Sequence, residues 1–221
     1  MVESKDFLIT ADKKMSFDFK VYEQEFGRVL DYEDLPNGKR KAKAVTQLIN
    51  SIRRILKNEF SADTDYYYKD VFIYPVILTH DLQYDTPGFN ELIDFWFQDA
   101  LSELAEEGLF IHHVKPLSVV NIDSLIYNQV GLANGTPLNE MLNHYHENKK
   151  IEKQKNFKTQ DEYDRYFEEY KQMRMSKLIP FALFIDKYFH KQNLGKLPPL
   201  LELVAHALFK EEYEGHEVVK S

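Results

Sequence analysis

Residues 71–78 read VFIYPVIL, and this nearly continuous apolar run sets the expected fold. A strand without polar alternation is typical of one that is buried on both faces, as in parallel sheets. Pro75 interrupts the run and cannot donate a ladder hydrogen bond, so we expect an edge strand or a bulge at this point.

Amphipathic helices are expected on either side of this run. The segment 39–60, KRKAKAVTQLINSIRRILKNEF, places its apolar residues at helical spacing. These are Val45, Leu48, Ile49, Ile52, Ile55 and Leu56. After the run, Thr86-Pro87-Gly88 is predicted to begin a second helix, which ends at Gly108, and residues 117–122 form a further strand. Strands joined through helices predict a largely parallel sheet with helices packed on it.

The N-terminal segments are expected to form two paired strands. Residues 1–9, MVESKDFLI, are one strand candidate, and residues 11–14, ADKK, resemble a turn. Residues 15–22, MSFDFKVY, alternate between an apolar face and a face carrying Asp18 and Lys20. The apolar face carries Phe17, Phe19 and Val21. The two strands are predicted to pair as a hairpin.

The character of the chain changes after Asp123. Apolar helical segments are expected near 138–145, 163–173, 178–189 and 198–209. The sequence therefore predicts an α/β fold, with a mixed, largely parallel sheet flanked by helices in residues 1–123 and a C-terminal α-helical subdomain in residues 124–221. That subdomain either packs on the sheet or forms a partner surface.

Composition excludes several classes of function. The chain of 221 residues is 43% hydrophobic and has no cysteine, which rules out disulfides, thiol catalysis and cysteine zinc sites. No apolar run has the roughly 18 residues of a membrane span, and no secretory signal is evident, so we expect a cytoplasmic protein without membrane contact. The net charge of −8 means that any contact with nucleic acid must use a local basic patch.

The first predicted strand carries an acid and a lysine two residues apart, Glu3 and Lys5. Residues at this spacing in a strand lie on the same side. A carboxylate can ligate Mg²⁺ or Mn²⁺, and a lysine beside it can orient or deprotonate water, as metal-assisted phosphodiester hydrolysis requires. The alternative is an exposed polar face with a weak ion pair.

The order of elements adds to this pattern. The strand with Glu3-Ser4-Lys5, the helix with a polar stripe and the buried strand that follows resemble the PD-(D/E)XK nuclease superfamily, which has the restriction-endonuclease-like fold. The stripe consists of Lys43, Gln47, Asn50 and Arg54. The resemblance covers roughly residues 1–80. It implies that Glu3 is a ligand of Mg or Mn, that Lys5 is the catalytic, water-orienting lysine, and that Gln47, with or without Lys43, completes the catalytic site.

The sequence departs from the family at one important point. The family has a further aspartate on a strand upstream of E-x-K, whereas only Met1 and Val2 precede Glu3 here, so the core lacks the N-terminal helix and strand of that fold. Three alternatives stay open. The chain is a fragment of a longer protein, or it is a degenerate relative, or Asp18-Phe19-Lys20 is the D-x-K element. In the last case Glu3 and Asp18 face one another at the metal.

Other residues could contact nucleic acid. A basic cluster that includes Arg40, Lys43 and Arg54 lies on or near the same helix as Gln47, where it would contact DNA phosphates or form an ordinary solvated face. Tyr66-Tyr67-Tyr68 either stack on bases or pack before the buried strand. The histidines of NHYHEN, residues 143–148, are interpreted as solvated surface because their spacing diverges on a helix.

Two hypotheses of function follow. The first is a metal-dependent nuclease-like protein that hydrolyses phosphodiesters, either complete or incomplete as this chain. The second is a non-enzymatic structural or protein-interaction module on a degenerate nuclease-like scaffold. Its C-terminal helices would bind a protein partner or a second copy. The residues expected to form that surface are Phe181, Phe184, Leu200 and Leu203.

Overall fold

The computed structural model describes residues 1–5, 9–16, 18–63, 65–150 and 159–191. Its strands are β1 (Val2–Lys5), β2 (Tyr32–Asp34), β3 (Arg40–Ala42), β4 (Val76–Thr79) and β5 (Ser118–Asn121). Its α-helices are α1 (Ala11–Lys14), α2 (Phe19–Phe26), α3 (Ala44–Leu56), α4 (Phe89–Glu106), α5 (Ile122–Tyr127), α6 (Gln129–Asn134), α7 (Leu138–Lys149), α8 (Gln160–Lys177) and α9 (Phe181–Lys191). A π-helical turn, Gly27–Asp31, follows α2, and a 3₁₀ turn, Leu82–Tyr84, follows β4.

Strand β4 lies at the centre of the main sheet. Within the described residues, β1, β4 and β5 form a three-stranded sheet in the order β1-β4-β5, and both pairings are parallel. The register places Glu3 opposite Ile77 and Ile77 opposite Val119. The predicted α/β class, with a parallel sheet flanked by helices and further helices towards the C-terminus, is confirmed.

Alternate residues of the sheet enter two different cores. Ile77 and Val119 belong to a core that also contains the apolar faces of α3 and α4. Val76 and Val120 belong to a second core on the opposite face, with α7 and α9. Because successive side chains of a strand point to opposite faces, β4 is covered on both sides. This double burial explains the continuous apolar run.

The second core contains large side chains from the C-terminal helices. Its fully buried members from α7 and α9 are Met141, Tyr145, Phe181, Ile185 and Phe189. The helices predicted near 138–145, 163–173 and 178–189 correspond to α7, α8 and α9, and the one predicted at 198–209 lies outside the described residues. The described part of the predicted helical subdomain therefore includes two helices that pack on the sheet.

Pro75 does not mark an edge strand. The regular pairing of β4 begins at Val76, directly after the proline, and continues on both sides of the strand. The Pro75 carbonyl accepts a hydrogen bond of 3.0 Å from the Ser118 amide. Pro75 thus contributes an acceptor to the pairing with β5, although its backbone nitrogen carries no hydrogen to donate. The expectation of an edge strand is wrong because the strand starts where the proline no longer interferes.

The predicted N-terminal hairpin is also wrong. Residues 11–14, expected as a turn, form α1, and the second half of the expected strand 15–22, residues 19–22, lies in α2. The Asp18 carboxylate caps α2 by accepting a hydrogen bond of 2.9 Å from the Lys20 amide. Tyr22 and Phe26, one turn apart, pack against the first core, so helical spacing prevails over the two-residue alternation.

A short antiparallel hairpin precedes α3. Strands β2 and β3 pair from Tyr32 opposite Ala42 to Asp34 opposite Arg40, and LPNG at 35–38 forms the turn. The helix expected from residue 39 therefore begins only at Ala44, because Arg40 and Lys41 belong to β3.

Helix α4 covers the outer edge of β5 with polar side chains. Asn90 Oδ1 accepts a hydrogen bond of 2.7 Å from the Val119 amide, and Asn90 Nδ2 donates one of 3.2 Å to the Leu117 carbonyl. Asp94 Oδ1 accepts from the Leu117 amide at 2.7 Å. Unpaired backbone groups on an edge strand can form hydrogen bonds with another strand. Here the side chains of Asn90 and Asp94 bond instead to the backbone groups of Leu117 and Val119. Among the described residues, β5 is therefore an edge strand whose outer side is partly occupied by α4.

In the described part of the chain, no helix is both long and apolar enough to cross a membrane.

We expect Asn90→Ala to lower the free energy of unfolding by roughly 2–4 kcal/mol, since it leaves the Val119 amide and the Leu117 carbonyl buried without partners. Asn148→Ala, at an exposed position of α7, is the matched control and should change stability little. Urea unfolding followed by circular dichroism measures both. Equal, small effects for the two variants would show that the Asn90 side chain does not hold the edge of the sheet.

Candidate functional site

Strand β1 presents Glu3 and Lys5 on the face that is covered by α3. Glu3 shares its register with Ile77, whose side chain enters the core beneath α3. Val2, on the other face, is 60% exposed. The alternation of the strand therefore fixes both functional candidates on one side of the sheet, as expected from their spacing.

Three polar side chains meet at this point and form the Glu3–Lys5–Gln47 cluster. The Lys5 Nζ atom lies 2.7 Å from Glu3 Oε1. It also donates a hydrogen bond of 2.9 Å to Gln47 Oε1. The side chains of Glu3 and Lys5 are only 30% and 21% exposed. The structure thus brings together the acid, the lysine and the helix residue that the sequence singled out.

The position of Gln47 follows from the way in which α3 is anchored. The buried face of the helix includes Val45 and Leu48, which flank Gln47 in sequence and fix the rotation of the helix. At its start, the Thr46 hydroxyl donates to the Asp31 carbonyl at 2.8 Å and contacts Asp31 Oδ1 at 2.9 Å. With this rotation, Gln47 lies at the border of the apolar face, within reach of β1.

This arrangement has a definite chemical capacity. The Lys5 ammonium is held between a carboxylate oxygen and an amide oxygen, so its position is fixed by two acceptors. A lysine fixed in this way can donate to a water molecule or to a phosphate oxygen. The partly exposed Glu3 carboxylate beside it can ligate a hard cation.

The donor set fits a magnesium-type site with few protein ligands. No group of three His, Asp or Glu side chains in the described ranges is arranged to hold a metal ion. Glu3 is the carboxylate of the cluster, and Mg²⁺ is commonly bound by one or two carboxylates together with water and substrate phosphates. A site of this kind would be weak in the absence of a phosphate ligand.

Asp18 has a different role from the one that the D-x-K interpretation requires. It caps α2 and hydrogen-bonds within its own turn, to the amide of Lys20 and through its own amide to the Ser16 hydroxyl at 3.3 Å. The strand pairing that was expected to place it opposite Glu3 is replaced by helices. The interpretation of Asp18-Phe19-Lys20 as a strand element is therefore wrong.

The predicted nucleic-acid contacts all have partners within the chain. Arg40 donates to Asp34 at 3.1 Å, and its guanidinium lies 4.1 Å from the centroid of the Tyr32 ring. Lys43, the residue before α3, lies 2.8 Å from Glu33 Oε2, and this contact lowers the pKa of Glu33. A phosphate at either site would compete with a carboxylate.

Arg54, further along α3, is exposed and has weaker contacts. Its Nη2 atom lies 3.4 Å from the Glu59 carbonyl and 3.5 Å from the Ser61 hydroxyl. The structure thus places Arg54 about two turns from Gln47 along the helix, with a guanidinium whose partners in the described chain are neutral.

A serine and a histidine also lie close together at the carboxyl end of the sheet. The Ser4 hydroxyl and His80 Nε2 are 3.0 Å apart and exposed. Nucleophilic catalysis by such a pair needs an acid that orients the imidazole. The neighbouring Asp81 instead accepts a hydrogen bond of 2.8 Å from the Gln83 amide and caps the 3₁₀ turn. His80 directly follows β4, and this position after a buried strand is the sequence feature that could have indicated the pair.

Three acids lie near one another beyond the ends of β4 and β5. Burial, together with the charges of Asp123 and Asp186, raises the pKa of Asp85 to about 6. The Asp186 carboxylate accepts a hydrogen bond of 2.6 Å from Asn128 Nδ2. This grouping was not visible in the sequence, because its members come from a loop, α5 and α9.

His146, expected at the surface, is partly buried on the opposite face of the sheet. Its Nε2 atom shares a hydrogen bond of 2.8 Å with the Ser118 hydroxyl. Burial, with a smaller contribution from the charge of Lys149, lowers the pKa of His146 to about 4. Ser118 is 1% exposed, so this pair is a buried structural contact and the interpretation as solvated surface is wrong for His146.

The comparisons with known proteins return no relative: no protein-family model, no curated protein and no solved structure matches the chain.

We expect the burial of His146 to make stability depend on pH. The unfolded chain binds a proton at His146 near pH 6.5, whereas the folded chain does so only near pH 4, so stability falls as the pH is lowered between these values. The loss reaches at most ~3 kcal/mol. His146→Gln keeps a polar partner for Ser118 and should remove this part of the pH dependence. Urea unfolding between pH 7 and pH 4 tests this, and parallel curves for the two proteins would contradict it.

Proposed function

We propose that the chain is a metal-dependent nuclease-like protein, in which the Glu3–Lys5–Gln47 cluster takes part in phosphodiester hydrolysis. The observation that carries the proposal is the position of the Lys5 ammonium, 2.7 Å from a carboxylate and 2.9 Å from an amide oxygen. The acid, the lysine and the helix residue are those that correspond to the PD-(D/E)XK pattern.

Each member of the cluster has a role that its surroundings support. Glu3 would hold Mg²⁺ or Mn²⁺, which would polarise the phosphodiester and lower the pKa of a bound water. Lys5 would use its remaining N–H to donate either to the attacking water or to the phosphate, where negative charge develops as the bond from water oxygen to phosphorus forms and the ester P–O bond breaks. The proton released by the water would pass to solvent. Gln47 positions Lys5 by accepting one of its hydrogen bonds.

The basic residues of α3 would guide the DNA backbone. Lys43 lies one turn before Gln47 and is ion-paired with Glu33, so a phosphate would take the place of Glu33 as its partner. Arg54 offers a guanidinium without a carboxylate partner among the contacts of the described residues. These contacts would position the strand and would not select its sequence.

The resemblance also requires a second carboxylate, and no group of three metal-ligating side chains is found among the described residues. In the described part of the sheet, β1 pairs along one edge only, with β4. A further strand can pair with the other edge of β1 and supply the missing acid, because an open strand edge accepts a polypeptide by main-chain hydrogen bonds. The chain alone is accordingly expected to bind metal weakly.

The alternative, a protein-interaction module, receives less support. Phe181 is 1% exposed and Phe184 is partly buried, so neither offers the apolar surface that was expected for a partner. Leu200 and Leu203 lie outside the described residues.

We expect the purified chain to bind Mn²⁺ weakly and saturably, and Glu3→Gln to abolish this binding. Asp18→Asn is the matched control, since it removes one carboxylate from an exposed helix cap away from the cluster contacts. Isothermal titration calorimetry measures both, with thermal unfolding as a check on folding. Binding that persists in Glu3→Gln, or that is absent from the unaltered chain, would contradict the assignment of Glu3.

We expect Lys5→Met to lower Mn²⁺-dependent cleavage of labelled DNA by about 10²–10³-fold, while Mn²⁺ binding is retained, because a donor aimed at developing charge contributes this much. Gln47→Ala should have a smaller effect, since it only frees Lys5 to move. The matched control is Lys57→Met, at an exposed position after α3. Equal activity of Lys5→Met and Lys57→Met would exclude Lys5 from the reaction.

A further inference from the structure

Two loops lie side by side ahead of the sheet and carry a set of exposed rings. The loop before β4 and the loop before β5 are joined by a parallel bridge between Ile73 and Val114. The Ile73 amide donates to the His113 carbonyl at 3.0 Å, and the Lys115 amide donates to the Ile73 carbonyl at 2.8 Å. The backbone that carries the rings is therefore fixed.

We name this surface the aromatic platform, which consists of Tyr67, Tyr68, Phe72, Phe110, His112 and His113. Its rings form a chain of contacts. Their centroid distances are 5.2 Å for Tyr67–Tyr68, 6.5 Å for Tyr68–Phe110, 5.2 Å for Phe110–His113 and 4.4 Å for Phe72–His113. The last pair is stacked, with an angle of 22° between the planes.

The platform leaves a large part of two rings in solvent. Tyr67 and Phe72 are each 54% exposed. A depression of about 400 Å³ adjoins other members of the platform, and its lining includes Tyr68, Phe110 and His112. Several aromatic rings held in contact on one exposed surface, on a backbone that is itself fixed, are typical of a site that binds a flat ligand.

Positive charge accompanies the rings. Lys69 Nζ lies 5.7 Å from the centroid of Tyr68, and Lys115 Nζ lies 5.0 Å from that of Phe72. The loop before β4 also carries four exposed acids, Glu59, Asp63, Asp65 and Asp70, so charge contributes little to the binding of an anion and the rings must supply most of the affinity. A ligand of this surface must combine flat apolar faces with negative charges placed near the two lysines.

We propose that the aromatic platform binds single-stranded nucleic acid, with one base stacked on Tyr67, a second on Phe72, and phosphates at Lys69 and Lys115. Since His113 stacks on Phe72 and the Lys115 ammonium lies over the same ring, the second base takes the place of that ammonium as Lys115 turns to a phosphate. Stacking of bases on aromatic side chains tolerates any sequence and supplies most of the affinity where charge is limited. In a duplex the faces of the bases are covered, so double-stranded DNA binds poorly. The proposal depends on these loops and holds or fails independently of the Glu3–Lys5–Gln47 cluster.

The test measures fluorescence anisotropy of a short fluorescein-labelled oligothymidylate in EDTA, so that no hydrolysis occurs. The full chain should bind it saturably. Tyr67→Ala and Phe72→Ala should each weaken binding roughly 5- to 100-fold, whereas Tyr67→Phe should not. Phe95→Ala is the matched control, because Phe95 is 68% exposed on α4 and lies outside the platform.

The salt dependence gives a second, quantitative readout. Two phosphate contacts on a single strand predict a slope of about −1.4 for the logarithm of affinity against the logarithm of salt concentration. Lys115→Ala should reduce the slope to about −0.7, with Lys187→Ala, an exposed lysine of α9, as control.

Three results would overturn the proposal: no saturable binding by the unaltered chain, equal affinity for duplex and single strand, or no difference between Tyr67→Ala and Phe95→Ala. A dimer that dissociates in Tyr67→Ala, without oligonucleotide binding, would identify the platform as an interface between copies. Cleavage by the unaltered chain is measured separately, with Mn²⁺ in place of EDTA. Failure of cleavage with retained binding would therefore count against the proposed hydrolysis alone.

Discussion

The central position of β4 is the constraint on which the other elements depend. Because β1 and β5 pair with it on either side and both its faces are buried, helices must cover the sheet twice, α3 and α4 on one face and α7 and α9 on the other. The register with β4 also decides which way β1 faces. A shift by one residue would turn Glu3 and Lys5 away from α3 and bring Ser4 towards it. The candidate site thus exists only in this register.

The rotation of α3 is the second determinant of the site. Its apolar stripe is wide enough to bury Val45, Leu48 and Ile52 completely, and this leaves Gln47 at the border of the stripe beside β1. The hydrogen bond between Gln47 and Lys5 therefore results from core packing more than from an attraction between two polar residues. It follows that a substitution in the buried face of α3 would disturb the cluster without touching it.

Long elements with a clear period were predictable from sequence, and short ones were not. The apolar stripe of α3 and the apolar run of β4 were enough to predict a helix and a buried strand, because the burial of a whole face outweighs local conformational preferences. Around Asp18 the apolar residues fit both the two-residue alternation of a strand and the 3.6-residue spacing of a helix. The hydrogen bond from the Lys20 amide to the Asp18 carboxylate and the packing of Tyr22 and Phe26 against the core favour the helix. The burial of His146 depends on a partner in β5, 28 residues away, which no local pattern reveals. The same applies to the acids around Asp85.

An acidic chain can act on nucleic acid only where local features outweigh its net charge of −8. Most of the basic residues near the cluster are paired with acids, so electrostatic attraction there is partly cancelled. Stacking does not depend on net charge and offers a different source of affinity. The two proposed sites lie near opposite ends of α3, since Gln47 contacts Lys5 and Leu56 lines the depression beside Tyr68. Nine residues of helix span roughly 14 Å. A single strand of a few nucleotides extends over that distance, so rings at one end of α3 could retain a strand whose backbone is presented to Lys5 at the other.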